Sequence, residues 1–241
     1  MLRYSFDIFD TLLTRATNNP QGVFYLVQRR IGTMSAVPDR VRRIYAQARI
    51  WSEFRARRSS GREDVSLAHI YDTLDRELSL GQAARDALLH LELEVERDCS
   101  VPIVVNVRKA RNLQADGHRV IFISDMYLPT VFLHELLTAH GICREQSSLY
   151  VSGEVGLTKG AGSLFGHVLG REGLSPDQLV HCGDHYYSDV IVPSRLGIRT
   201  EPYSADAPGL MPGRLRRKLF LGRYLLMVLS ARLFMQMALP R

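Results

Sequence analysis

The chain opens with an apolar run, Leu2 to Phe6, that ends in the turn Asp7-Ile8-Phe9-Asp10-Thr11. A carboxylate at this place sits at the carboxyl end of a strand, where open α/β sheets collect their ligands. It can serve there as a nucleophile that accepts a phosphoryl or acyl-like group. Further elements follow in order. Val120-Ile121-Phe122-Ile123 reads as a buried strand and ends in Ser124-Asp125, a hydroxyl donor suited to a phosphate oxygen at the same sheet edge. Lys159, in Leu157-Thr158-Lys159-Gly160, precedes a helical stretch from Ser163 to Leu169. A lysine there neutralises developing charge and holds a carboxylate ionised. A last apolar run, Leu179 to Cys182, ends in Gly183-Asp184, with Asp189 five residues beyond Asp184. Magnesium takes carboxylate oxygens and keeps several waters, so Asp7, Asp184 and Asp189 are its natural ligands.

Composition bounds the rest. With 46% hydrophobic and 23% charged residues in 241, the chain builds a full core, and its length allows one domain with an insertion. The formal charge of +6 comes from the end of the chain. Seven basic residues and no acids lie between Arg214 and Arg241. Without them the chain is close to neutral, and no nucleic-acid-binding motif accompanies the charge. Met1 to Phe6 holds no signal-peptide core, so the body is expected in the cytoplasm. Cys99, Cys143 and Cys182 have no zinc-like spacing, and Cys182 reads as a buried thiol at a strand end.

In their order and spacing these motifs resemble those of the haloacid dehalogenase (HAD) superfamily, over residues 1 to about 200. The segments SFDIFDTLLTR, FISDMYLP, TKGAGSLF and HCGDHYYSD are similar to those of a bacterial subgroup associated with glycosyltransferases and surface-polysaccharide biosynthesis. The resemblance implies a magnesium-dependent phosphatase that cleaves a phosphomonoester, in the subgroup's case a sugar phosphate, through an aspartyl-phosphate on Asp7. It implies that the main-chain carbonyl of Phe9 completes a metal site with Asp7, Asp184 and, directly or through water, Asp189. Ser124 and Lys159 would bind the phosphoryl group, with Thr11 and Asp125 beside them, and Thr11 would brace the first loop.

One position departs from the pattern. Phosphatases of the superfamily carry a second aspartate two residues after the nucleophile, as general acid and then base; here that residue is Phe9. Asp10 stands one place too far along and is expected to hydrogen-bond the turn that follows. An aromatic residue at this place suits a haloacid dehalogenase, but those enzymes use no metal and lack the Asp184–Asp189 pair. Three readings therefore stand side by side. The first is the phosphatase. The second is a weakly active or inactive domain that binds a ligand or partner at the membrane. The third, a dehalogenase, fits least well. His185, beside Asp184, is the histidine with a candidate site role.

The expected architecture is a Rossmann-like α/β core with a mostly parallel sheet, in residues 1–14 and 102–208. Residues 15–101 read as an inserted helical cap, with helices over Gly22–Ile31, Val41–Arg57, Leu67–Leu78 and Gln82–Arg97. Ser66 is expected to cap the third of these, and Asp39 to open the second. In the superfamily such a cap closes over the site and selects the substrate. Its arginines (Arg40, Arg42, Arg43, Arg49, Arg55, Arg57, Arg58 and Arg62) read as a solvated face or as an anion-binding surface, and Trp51 and Phe54 as cap core.

Residues 209–241 read as a linker followed by a basic, apolar tail helix. Pro208, Gly209, Pro212 and Gly213 precede Arg214-Leu215-Arg216-Arg217-Lys218, and Leu219 to Leu239 is nearly all apolar. Arg223 and Arg232 interrupt this run too closely for a membrane span, and lying nine residues apart they leave no clean amphipathic stripe. An interfacial helix on anionic lipid and a helix docked on protein both remain open.

Overall fold

The structure, a computed structural model, describes residues 2–17, 19–144, 147–203 and 226–237. The linker at 208–213, the basic run 214–218 and the first residues of the expected tail helix lie outside the described residues.

In chain order the elements are β1 Arg3–Phe6, β2 Leu13–Arg15, α1 Gly22–Arg30, α2 Asp39–Ser59, α3 Leu67–Leu78, α4 Gln82–Cys99 and β3 Ser100–Pro102. Then come α5 Val104–Ala115, β4 Val120–Ser124, α6 Thr130–Ala139, β5 Ser148–Val151, α7 Ser152–Val155 and α8 Ser163–Glu172. The last are β6 Leu179–Gly183, a π-helical turn Tyr186–Ile191, α9 Val192–Arg195 and β7 Arg199–Pro202. A final helix covers 226–237. The described residues fall in two compact units, one drawn from 1–14, 62–66 and 101–210 and the other from 15–61, 67–100 and 211–241.

The first unit is built on a five-stranded sheet in the order β5-β4-β1-β6-β7, every pair of it parallel. Strands buried on both faces read as continuous apolar runs, and β4 and β6 are buried along their whole length. Ile121, Ile123, Leu164, Phe165, Val168, Leu179, Val192 and Ile198 pack α8 and α9 against the sheet. Each such side chain contributes roughly 1.5–3 kcal/mol. Strand β1 is central, with Ser5 opposite Ile121 of β4 on one side and His181 of β6 on the other. The register brings the ends of β1, β4 and β6 to one edge of the sheet, and with them Asp7, Ser124 and Asp184.

The second unit packs α1, α2, α3 and α4 against one another. Its centre is polar. Arg49 is fully buried and donates from Nε and Nη2 to the two oxygens of Glu92, both at 2.9 Å. Its Nη1 reaches Glu53 at 3.0 Å, and its guanidinium lies over the Phe24 ring. Tyr45 and Tyr71 also donate to Glu92. The arginine run is thus largely committed within the protein. Arg57 pairs with Glu53, Arg55 with Glu77, and Arg40 and Arg42 donate to main-chain carbonyls. Asp39 opens α2 as its first residue, after Pro38. Trp51 and Phe54 stack on each other and stay half-buried.

In the helix 226–237, Val228, Ala231 and Met235 are buried, while Leu226, Leu229, Leu233 and Met237 are exposed. At about 100° per residue the exposed four form one stripe, opposite the buried three. The stripe is one of exposure and not of polarity, since the residues on both sides are apolar. No described helix is long and apolar enough to cross a membrane.

Candidate active site

Asp7 is the first residue after β1. Its amide donates to the Cys182 carbonyl at 2.9 Å, which ties the turn to β6, and its side chain is buried. Asp7, Asp184 and Asp189 each offer an oxygen, and these lie within 4.8 Å of one another. Asp189 reaches the cluster because Gly183 leaves room for it. A Cβ on Gly183 would come within 2.5 Å of the Asp189 carboxyl carbon.

Lys159 stands between two of the acids. Its Nζ is 2.8 Å from Asp7 Oδ1 and 2.6 Å from Asp189 Oδ1, and it is buried. Asp189 wins the larger share of this charge. Its second oxygen also accepts from the His185 amide at 2.9 Å, and His181 Nε2 lies 3.3 Å from the first. Although burial works against it, the lysine and these donors hold the Asp189 carboxyl far below the ordinary carboxylate range. Asp189 and Asp7 in turn hold the Lys159 ammonium charged well beyond its usual range, against burial.

Asp7 is left under-compensated. Burial, and then the charges of Asp189 and Asp184, push it up to about 8 against the pull of Lys159. Asp184 is the outermost of the three. Partial desolvation and the charges of Asp10 and Asp189 push it up to about 6. Three clustered carboxylates share one lysine, so the site is short of positive charge. A divalent cation with oxygen preference fits this donor set, with Asp7 and Asp184 as the carboxylates least committed to protein donors.

The first loop is tied to the turn after β6. Thr11 is fully buried; its hydroxyl donates to Asp184 Oδ1 at 3.2 Å and accepts from the Asp184 amide at 3.1 Å. Asn106 holds the Thr11 carbonyl at 2.8 Å. Phe9 is buried. Asp10 takes a left-handed conformation, φ 58°, which aspartate tolerates better than most residues, and accepts from the Thr14 hydroxyl at 2.8 Å. It turns back into its own loop, yet its charge is still felt at Asp184.

Ser124 ends β4 and is buried; its hydroxyl makes no hydrogen bond among the described residues, which leaves it able to donate to a ligand. Asp125, grouped in the sequence with the phosphate-binding residues, gives Oδ1 to the Lys159 amide at 2.8 Å and so positions the lysine's main chain. His185 accepts through Nδ1 from the Ser188 amide and hydroxyl, at 3.2 and 2.7 Å, which closes the turn after Asp184. Cys182 is buried, and burial pushes its thiol up to about 11, so it is no nucleophile at neutral pH.

His181 was passed over in the sequence. It lies on β6, fully buried, with Ser5 at 2.8 Å from Nδ1 and Asp189 beyond Nε2. Burial holds it below its usual range, so the neutral ring donates to Asp189 and accepts from Ser5. The signal was present: a histidine inside an otherwise apolar run, two residues before Gly183-Asp184, needs a buried partner.

Neither a family model nor a curated protein sequence matches the chain. Solved structures do. A HAD phosphatase from Thermococcus onnurineus shares 16% identity, covering 86% of this chain and 88% of its own, at TM-score 0.56. A 2-haloacid dehalogenase from Pseudomonas syringae shares 18%, covering 87% and 92%, at 0.55. A HAD family enzyme from Bacteroides thetaiotaomicron, solved with magnesium and inorganic phosphate, shares 12%, covering 87% and 97%, at 0.53. The fold is that of the HAD superfamily hydrolases, a Rossmann-like core with a mostly parallel sheet.

Proposed function

We propose that the protein is a magnesium-dependent HAD-type phosphatase acting on a small phosphomonoester, with a sugar phosphate as the substrate class. The observation that carries this reading is the cluster of Asp7, Asp184 and Asp189 around Lys159, buried, short of positive charge and at the carboxyl edge of the sheet. Asp7, Asp184, the Phe9 carbonyl and, through water, Asp189 would hold magnesium, which supplies the missing positive charge and screens Asp7 from the phosphate. An Asp7 oxygen attacks phosphorus, the bond to the ester oxygen breaks, and the departing alkoxide takes a proton from solvent. Water then attacks the phosphorus of the aspartyl-phosphate, giving phosphate and regenerating the carboxylate. Ser124 and Lys159 grip the phosphoryl oxygens throughout.

No acid stands two places after Asp7, so the leaving group lacks its usual proton donor. General acid–base catalysis contributes about 100- to 10,000-fold, and turnover is accordingly slow. The three-carboxylate cluster disfavours the metal-free dehalogenase, although Phe9 and a dehalogenase among the similar structures speak for it.

A second reading keeps the site as a binding module, with the protein cytoplasmic and held at a membrane surface or a partner protein through residues 214–241. The exposed stripe of Leu226, Leu229, Leu233 and Met237 favours it, together with the absence of acids from the tail.

The test is the thermal shift of the purified protein with magnesium and beryllofluoride, a mimic of the aspartyl-phosphate, beside Asp7→Asn. A ligand at 100 times its dissociation constant stabilises by about 2.7 kcal/mol. Stabilisation of the wild type alone supports the phosphatase. No shift in either protein rejects it in favour of the binding module.

A further inference from the structure

Between α2 and α3 the chain leaves the helical unit for five residues, Arg62–Ser66, which belong to the sheet-bearing unit. Arg62, Glu63 and Asp64 each tie this strap to the sheet-bearing unit. Arg62 donates to the Glu154 carbonyl at 2.7 Å, and the Glu63 amide donates to the Gly156 carbonyl. Asp64 is buried and accepts from the Ser152 hydroxyl at 2.5 Å. Ser152 in turn accepts from the Met126 amide at 2.8 Å, two residues after Ser124. The Val65 carbonyl passes so close to Gly153 that a Cβ there would meet it at 2.6 Å.

The tightest grip is that of Glu63. One oxygen, Oε2, accepts from the Thr158 amide at 2.7 Å, the Thr158 hydroxyl at 3.0 Å and the Ser163 hydroxyl at 2.5 Å. These donors hold its carboxyl below the usual range. Thr158 immediately precedes Lys159, and Ser163 opens α8. From the other side, Asp125 holds the Lys159 amide. Glu63 and Asp125 therefore clamp two successive main-chain amides, and the lysine side chain leaves from the Cα that follows the second.

We propose that Glu63 is a positioning residue: from the strap Arg62–Ser66 it fixes the Thr158-Lys159 loop, so that the Lys159 ammonium is presented to the phosphoryl group. This rests on the phosphatase reading for the phosphoryl group, but not for the hold on the loop. In the chain the strap lies between the end of α2 at Ser59 and the start of α3 at Leu67.

The experiment compares full-length wild type, Glu63→Ala and Glu63→Gln in two measurements. The first is amide hydrogen exchange at Thr158 and Lys159; the second is the affinity for beryllofluoride with magnesium. Glutamine keeps an oxygen where Oε2 stands and should stay within about threefold of wild type in both. Alanine should speed exchange at Thr158 by about tenfold or more and weaken beryllofluoride by about tenfold, a loosening of a reacting-group position of the kind that carries large penalties. Exchange in β4 and β6 should not change. Unchanged Thr158 exchange in Glu63→Ala would overturn the proposal, as would a uniform rise across the whole unit in both variants. A wild type that takes no beryllofluoride would reject the phosphatase reading alone, and the Thr158 amide would still decide what Glu63 holds.

Discussion

Lys159 Nζ and Asp189 Oδ1 lie 2.6 Å apart, and both side chains are almost wholly removed from solvent. The same ammonium reaches Asp7 at 2.8 Å. A buried pair of this kind adds little over an apolar replacement, but losing one partner is severe, because the remaining charge has no solvent to turn to. Lys159→Ala leaves two carboxylates facing each other. It should lower stability by about 3–5 kcal/mol, read as the urea midpoint in EDTA. A loss below about 1 kcal/mol would mean that the lysine does not hold Asp189 in the folded protein.

The pH dependence of the metal-free protein has a defined sign. Asp7 and Asp184 stand at about 8 and about 6 when folded, above the ordinary value near 4. The native state therefore holds more protons than the unfolded chain between about pH 4 and 8, and this contribution to stability is lost as pH rises through that window. Asp7→Asn removes the larger part. In EDTA the variant should be more stable than wild type at pH 8 and lose less between pH 6 and 8. A gain of about 1 kcal/mol is a melting shift of roughly 2–4 °C for a chain of this length. Magnesium should reverse the order, stabilising wild type increasingly as pH rises. A wild type that grows more stable than Asp7→Asn from pH 6 to 8 without metal would contradict the charge shortage.

His181 gives a milder test of the same centre. Its ring connects Ser5 to Asp189 inside the sheet, and replacing it with leucine leaves the Ser5 hydroxyl and one Asp189 contact unsatisfied. The expected cost is about 1–3 kcal/mol, with Ser5→Ala costing less because one hydrogen-bonding group then goes without its partner instead of two. Equal stability of His181→Leu and wild type would make the 3.3 Å contact energetically empty.

The sheet and the candidate site edge were legible because their signals are local: β4 is an unbroken apolar run up to Ser124, and β1 and β6 lead straight into Asp7 and Asp184. Leu67–Leu78 and the starts of α1, α4 and α8 fall where periodicity puts them. The fine division of labour was not legible. Asp125, Asp184 and Asp189 look alike in sequence, and only the folded chain shows one holding a main-chain amide, one exposed and one locked by a lysine and a histidine. The strap was hidden for another reason. Glu63 and Asp64 sit in an interhelical stretch of ordinary polarity, and their partners Thr158, Ser163 and Ser152 lie about ninety residues or more further on. Arg49 misled in the opposite direction, since charge periodicity on a helix cannot distinguish a solvated arginine from one buried against Glu92.

That arginine supplies the last test. Arg49→Met leaves Glu92 buried and facing two tyrosine hydroxyls with no cation, and should cost about 3–5 kcal/mol. Removing the acid as well, in Arg49→Met with Glu92→Met, takes away the orphaned charge. The tyrosines do not then lose every partner, because their hydroxyls lie 2.7 Å apart and the Tyr71 proton has the Leu88 carbonyl, at 3.0 Å, as its other acceptor. Glu53 likewise keeps Arg57 at 3.1 Å. The double variant should therefore recover at least half of the single variant's loss in urea denaturation, a coupling of about 1.5 kcal/mol or more between the two sites. Additive losses would show instead that the Arg49 side chain, whose guanidinium lies over Phe24, matters for its volume and not for its charge.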